Sequence, residues 1–341
     1  MRRPFIATLA LGLLAAAMEM PAFAQEGRVQ QILDRFENAN RWRDHVMIVA
    51  HRGGWKENGV IRWAENSRAG VRHSIGLGVE IVELDARMSG DGEFVVMHDS
   101  GLERTTDCKG EVAARTLAEL RTCHLVVEGS GEVTDEVVPT LAEMLTVSKG
   151  NVLVNIDNKL GPDHIAGMVA VARGLGMEGK VILKENIFSA ARLAAVKAAV
   201  ADAGPGFRFM PIIADDAVED PYFVETVTRA FAADMVEMVT WRGERRMLPD
   251  DGGALFSARM RAVAARGDWH LWVNTYPIVN LPSGFTGRGR GDELAVQAGF
   301  PEEVFGFWAG QGATVIQTDE PKAAIEWLEQ NGFRRPYGLT N

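Results

Sequence analysis

Residues 152–175, VLVNIDNKLGPDHIAGMVAVARGL, hold the unit on which the fold turns. A short apolar, β-rich run, Val152–Asp157, ends in polar residues. It is followed by a longer stretch, His164–Leu175, whose apolar residues recur at helical spacing. The same order recurs on both sides. Strand-like runs are Val46–His51, Glu80–Arg87, Val181–Lys184, Phe207–Ile213, Met235–Val239, His270–Asn274 and Ala313–Thr318. Helical stretches are Glu65–Leu77, Ala190–Ala203, Tyr222–Ala232, Leu255–Ala265 and Pro321–Asn331. Strands alternating with helices build a parallel sheet covered by helices, and eight of them close into a (β/α)₈ barrel, a TIM barrel. An open, doubly wound sheet is the competing architecture.

One segment breaks the alternation. Phe94–His98 follows Glu80–Arg87 after a polar turn too short for a crossover helix, so the two should pair as an antiparallel hairpin. Gly129–Val138 reads as a surface loop or a second small excursion, and 283–291, rich in Gly and Arg, as a mobile loop. No linker divides residues 25–341, which are expected to form one domain.

The first 24 residues read as an export signal: Arg2 and Arg3, then an uncharged apolar stretch, then Ala22-Phe23-Ala24 as a cleavage pattern. The mature chain is therefore expected to be periplasmic or secreted, without stable membrane insertion. In an oxidising compartment the two cysteines, Cys108 and Cys123, can form a disulfide. The net charge of −10 argues against a nucleic-acid partner. It leaves open a small anionic substrate held by a local group of cations.

Four candidate features fall at strand ends, where barrel active sites are built. His51-Arg52-Gly53-Gly54 offers a proton carrier, a forked phosphate donor and backbone that can approach a ligand closely. Glu83 and Asp85, two apart in a strand, point to one face, and buried carboxylates so placed suit Ca²⁺ or Mg²⁺. His98 joins that face if the hairpin turn is a two-residue loop, at either Gly90-Asp91 or Asp91-Gly92. A three-residue loop would turn it away. Asn155, Asp157 and Lys159 are aligned by the same alternation, so Asp157 can complete a cation site and Lys159 can offset phosphate charge. Each feature alone could be a solvated strand end; together they suit a metal-dependent phosphodiesterase. His45, His73, His124, His164 and His270 lack partnered spacing and read as structural or exposed.

In these residues the chain resembles the glycerophosphodiester phosphodiesterase family, part of the phospholipase-C-like superfamily. The resemblance rests on His51-Arg52-Gly53, Glu65-Asn66-Ser67, Glu83-Leu84-Asp85, Asp91-Gly92, Val95–Asp99, Arg104-Thr105-Thr106, Val138–Leu141, Asn155–Lys159 and Thr318–Pro321. It implies a barrel enzyme that uses Ca²⁺ or Mg²⁺ to hydrolyse a glycerophosphodiester to sn-glycerol 3-phosphate and an alcohol. It also implies that His51 and His98 are the acid–base pair, that Glu83, Asp85 and Asp157 hold the metal, and that Arg52 and Lys159 contact phosphate. Ala64 stands where the family usually has proline, Asp157 where it usually has glutamate, and 54–64 form a longer connection bearing Trp55 and Trp63. The alternatives are a phospholipase-like enzyme acting on another lipid or head group, by hydrolysis or by cyclisation, and a catalytically silent exported binding protein.

Overall fold

The computed structural model describes residues 22–242, 249–277, 286–287 and 290–338. Residues 1–21 of the expected leader lie outside them, as do 283–285 and 288–289 of the Gly- and Arg-rich loop.

Eight parallel strands close into a barrel: β1 Met47–Ala50, β2 Ile81–Met88, β3 Leu153–Asn158, β4 Val181–Asn186, β5 Arg208–Ala214, β6 Met235–Val239, β7 His270–Asn274 and β8 Val315–Thr318. Closure comes from β1, which pairs with β8 (Met47 opposite Val315) and with β2 (Val49 opposite Ile81). The open-sheet alternative is thereby excluded.

Inward-facing residues follow the two-residue period of a strand, and their chemistry changes from bottom to top. The lower layers are apolar: Met47, Val49, Ile81, Leu153, Ile182, Met210, Met235, Trp272 and Val315 form one buried cluster. Two residues further along, seven of the eight columns become polar, with His51, Glu83, Asn155, Lys184, Glu237, Asn274 and Gln317, all buried, while β5 carries Ile212. The alternate residues, such as Ile48, Val82, Val154, Leu183 and Ile316, pack outward in the main core. There they meet α2 Arg68–Leu77, α3 Leu141–Ser148, α4 Ile165–Gly174, α5 Ala190–Asp202, α6 Pro221–Phe231, α7 Ala258–Gly267 and α8 Pro321–Gln330. The first helix, α1 Ala22–Glu37, closes the bottom of the barrel with Val29, Ile32 and Phe36. No helix among the described residues is long and apolar enough to cross a membrane.

Two expectations need correction. The helix expected over Glu65–Leu77 begins only at Arg68, because Ser67 caps it by accepting the Gly70 N–H at 3.0 Å. Glu65 and Asn66 are thus free of the helix and available to the site. The hairpin forms, with Phe94–Val96 antiparallel to β2, but Ala86 lies opposite Val96 and Ser89 N–H donates to Glu93 O at 2.9 Å. The loop is therefore the three residues Gly90-Asp91-Gly92. Gly92 takes the left-handed position such a loop demands, with φ of 91°.

The stretch after the hairpin folds into a second excursion. His124–Val127 pairs antiparallel with Glu132–Val137, over a small core that includes Val95, Met97, Leu102, Leu120 and Leu125. Cys108 and Cys123 are disulfide-bonded across it. A crosslink spanning 15 residues contributes about 3 kcal/mol in the chain-entropy view. Reduction should therefore lower the protein's denaturant midpoint; an unchanged midpoint after verified reduction would remove the disulfide from its stability.

Candidate active site

The top of the barrel opens into a cavity of about 420 Å³, lined by His51, Arg52, His98, Asp157, Lys159, Lys184, Glu237, Trp241 and Tyr276 among others. Asp157 belongs to the lining, Glu83 and Asp85 are buried, and one oxygen from each of these three carboxylates lies within 4.8 Å of the others. The alternation that aligned Glu83 with Asp85 holds, and the parallel register sets Asp85 directly opposite Asp157.

Such a cluster needs positive charge. Burial, with the neighbouring Asp85 and Asp157 charges, pushes the Glu83 carboxyl well above the usual carboxylate range. Asp85 goes the other way: burial opposes its ionisation, but Lys159, His98 and Arg52 hold it low. The Lys159 ammonium lies 3.0 Å from Asp85 and 2.7 Å from Asp157. Lys184, fully inside the barrel, sits 3.1 Å from Glu237 and 3.9 Å from Asp157. Converging all-oxygen donors, one of them destabilised as an anion by its neighbours, fit a hard divalent cation.

Arg52 occupies a left-handed backbone conformation, with φ of 50°, uncommon for a residue with a side chain. That turn aims its N–H at Glu83 (2.9 Å) and its guanidinium at Glu65 (2.6 Å). Gly54 is required just beyond it, since a Cβ there would meet Ser74 Oγ at 1.9 Å. Asn66 donates to Asp85 at 2.8 Å, and Arg104 ties Glu65 to Asp99.

The two histidines are held alike. His51 Nδ1 lies 2.7 Å from Asp319 and His98 Nδ1 lies 2.7 Å from Asp99. A carboxylate only accepts, so each Nδ1 carries the proton and each Nε2 is the nitrogen available to the cavity. His51 also stacks on Tyr276 with ring centroids 3.5 Å apart. Burial pushes its pKa down to about 4 against the pull of Asp319, so it is neutral near pH 7. Asp319 in turn accepts from Trp55 and Lys56, each at 2.8 Å, both in the long 54–64 connection.

His98 reaches the cavity by a route other than strand register. The three-residue loop alone would turn it away from Glu83 and Asp85. The hairpin strand ends at Val96, however, and the chain bends beyond it, with Arg87 Nε holding His98 O at 2.9 Å. Alternation no longer applies to a residue outside the sheet. Sequence reasoning also left Asp319, Lys184, Glu237 and Tyr276 without roles. Asp319 was detectable, since Val315, Gln317 and Asp319 form one inward column of β8, and charges inside apolar strands marked Lys184 and Glu237. Of the histidines set aside, His270 is buried, bonded to Thr314 (2.8 Å) and Arg35 O (2.9 Å), and His45 contacts Glu80 at 3.3 Å.

Residues 51–200, which carry most of this machinery, match the model of the glycerophosphoryl diester phosphodiesterase family. That segment, 150 of the chain's 341 residues, is similar to this family. A glycerophosphodiester phosphodiesterase of Caldanaerobacter subterraneus subsp. tengcongensis is 33% identical over 117 residues, which is 34% of this chain and 46% of the relative. Glycerophosphodiester phosphodiesterase 1 of Rattus norvegicus is 32% identical over 149 residues, 42% of this chain and 41% of the relative. The chain thus spans less than half the length of these curated relatives. A crystal structure of a glycerophosphoryl diester phosphodiesterase from Parabacteroides distasonis superposes with a TM-score of 0.62 at 19% identity, covering 92% of this chain and 94% of its own. That likeness establishes the shared barrel fold.

Proposed function

We propose that this chain is an exported, metal-dependent hydrolase that cleaves glycerophosphodiesters to sn-glycerol 3-phosphate and an alcohol. The family match over residues 51–200 and one observation carry this reading. Two imidazoles, each with Nδ1 fixed by a carboxylate, line the cavity in which three carboxylates and Lys159 converge. Residues 25–341 would form its single catalytic domain, following a leader removed after Ala24. The Cys108–Cys123 bond suits that oxidising destination.

Glu83, Asp85 and Asp157 would hold Ca²⁺ or Mg²⁺, which supplies Lewis acidity toward a non-bridging phosphate oxygen. Arg52 and Lys159 would contact the remaining phosphate charge, with Lys184 behind them. His51, kept neutral by burial, accepts the proton of the attacking water at Nε2 while Asp319 steadies the resulting imidazolium. His98 gives a proton to the departing alkoxide. The water oxygen forms the new bond to phosphorus as the bond to the alcohol oxygen breaks.

Turnover of a panel of glycerophosphodiesters by the purified mature chain tests this. Release of sn-glycerol 3-phosphate, abolished by a chelator and restored by Ca²⁺ or Mg²⁺, is expected. A cyclic phosphate as final product would replace hydrolysis by cyclisation, and absence of any turnover would leave the catalytic reading without support.

A further inference from the structure

The catalytic cavity does not end at the charged residues. On the side of β4, β5 and β6 it continues into an open groove of about 320 Å³, and the two spaces share Asn186, Ile212, Ala214 and Trp241. The groove is further lined by Ile187, Phe188, Asp216 and Ala217. Its character differs from that of the cavity. The cations Arg52, Lys159 and Lys184 all line the cavity and none of them lines the groove, where Asp216 is the charged side chain among the described residues. Phe188 stands at the rim with 56% of its surface in water, next to Ile187, which is buried and fastened by its N–H to Ile212 O at 2.9 Å. A large aromatic ring left in water beside a substrate cavity is stabilised by any apolar surface that covers it.

We propose that the non-glycerol alcohol of the substrate carries an apolar chain, which lies in this groove against Phe188, Ile212, Ala217 and Trp241. The proposal rests on the phosphodiesterase reading and names the class of diester the site prefers. Continuity decides the occupant, because an ester arm leaving phosphate in the cavity can enter the groove without leaving the protein. Charge decides its chemistry. Among the described residues a second anionic group would meet Asp216 and no lining cation, and a small polar alcohol would leave Phe188 uncovered.

The test uses the mature chain with sn-glycero-3-phosphoalkanols from methyl to octyl, below the concentration at which they aggregate, with glycerophosphocholine alongside. kcat/KM should rise with chain length, by up to about fourfold for each fully buried methylene, then level off where the groove ends. Phe188→Ser removes the apolar rim, and Ala217→Glu sets a carboxylate in the groove at an exposed position outside the core. Both variants should flatten the rise and leave the methyl ester's kcat/KM unchanged. Equal kcat/KM for methyl and octyl esters overturns the proposal while leaving the phosphodiesterase reading standing. So does a rise that survives both variants, or a choline ester faster than every alkyl ester. Silence of the methyl ester as well as the others would mean that the phosphodiesterase reading itself is wrong, and the proposal would fall with it.

Discussion

His51→Ala and His98→Ala should each lower kcat by about 10²–10⁴-fold, the usual contribution of one positioned proton transfer. A diester with a strongly acidic leaving alcohol should separate their roles. It needs no proton from the enzyme, so it should restore turnover to His98→Ala and not to His51→Ala. Equal rescue of both variants, or full activity in either, would dismiss the two-histidine scheme. The pH profile carries the same information. Burial lowers His51 to about 4, below its ordinary 6.5, so it stays an unprotonated acceptor through mildly acidic pH. The acid limb of kcat/KM should accordingly fall below pH 6.5. Stability follows the same sign. The unfolded chain takes up this proton first as pH falls, so the contribution of neutral His51 is full above 6.5 and is lost as pH approaches 4.

Asp85→Asn should be comparably severe. Asp85 is one of the three converging carboxylates, and Lewis-acid stabilisation is worth several kcal/mol, so a loss on the order of 10³ in kcat/KM is expected. Partial recovery at high metal concentration should accompany it, with weaker binding of Ca²⁺ or Mg²⁺ by titration calorimetry. Asp85 also accepts from Asn66 and faces Lys159, so the variant's thermal unfolding should be recorded beside its kinetics. Full activity in a folded Asp85→Asn protein, indifferent to chelator, would exclude the carboxylate cluster from the reaction.

Much of this molecule follows from local rules. Eight apolar runs alternating with helical stretches determined a parallel sheet covered by helices, because strands joined by helices must lie parallel and bury both faces, while its closure into a barrel came with the pairing of β1 to both β8 and β2. The pairing of Glu83 with Asp85 needed only the two-residue period of an extended chain, and Asp157 then fell opposite Asp85 once β2 and β3 were neighbours. The first relation is a property of the extended backbone, so residue order alone determined it; the second also needed the stagger of β3 against β2.

Other features were decided only by the tertiary fold. His98 enters the cavity because the chain bends away beyond Met97, whose N–H still donates to Asp85 O at 2.9 Å, and that bend overrides a register which would have turned His98 outward. Asp319 reaches His51 across 268 residues because barrel closure sets the end of β8 beside the end of β1. Lys184 and Glu237 become ion partners across the barrel mouth, although neither spacing nor motif links them. Helix Ala22–Glu37 finds its place by filling the barrel floor, a cavity that exists only when all eight strands have met. Periodicity along one strand is local and can be read from the order of residues. Which strand ends meet, and how far each is staggered, depends on the closed sheet as a whole.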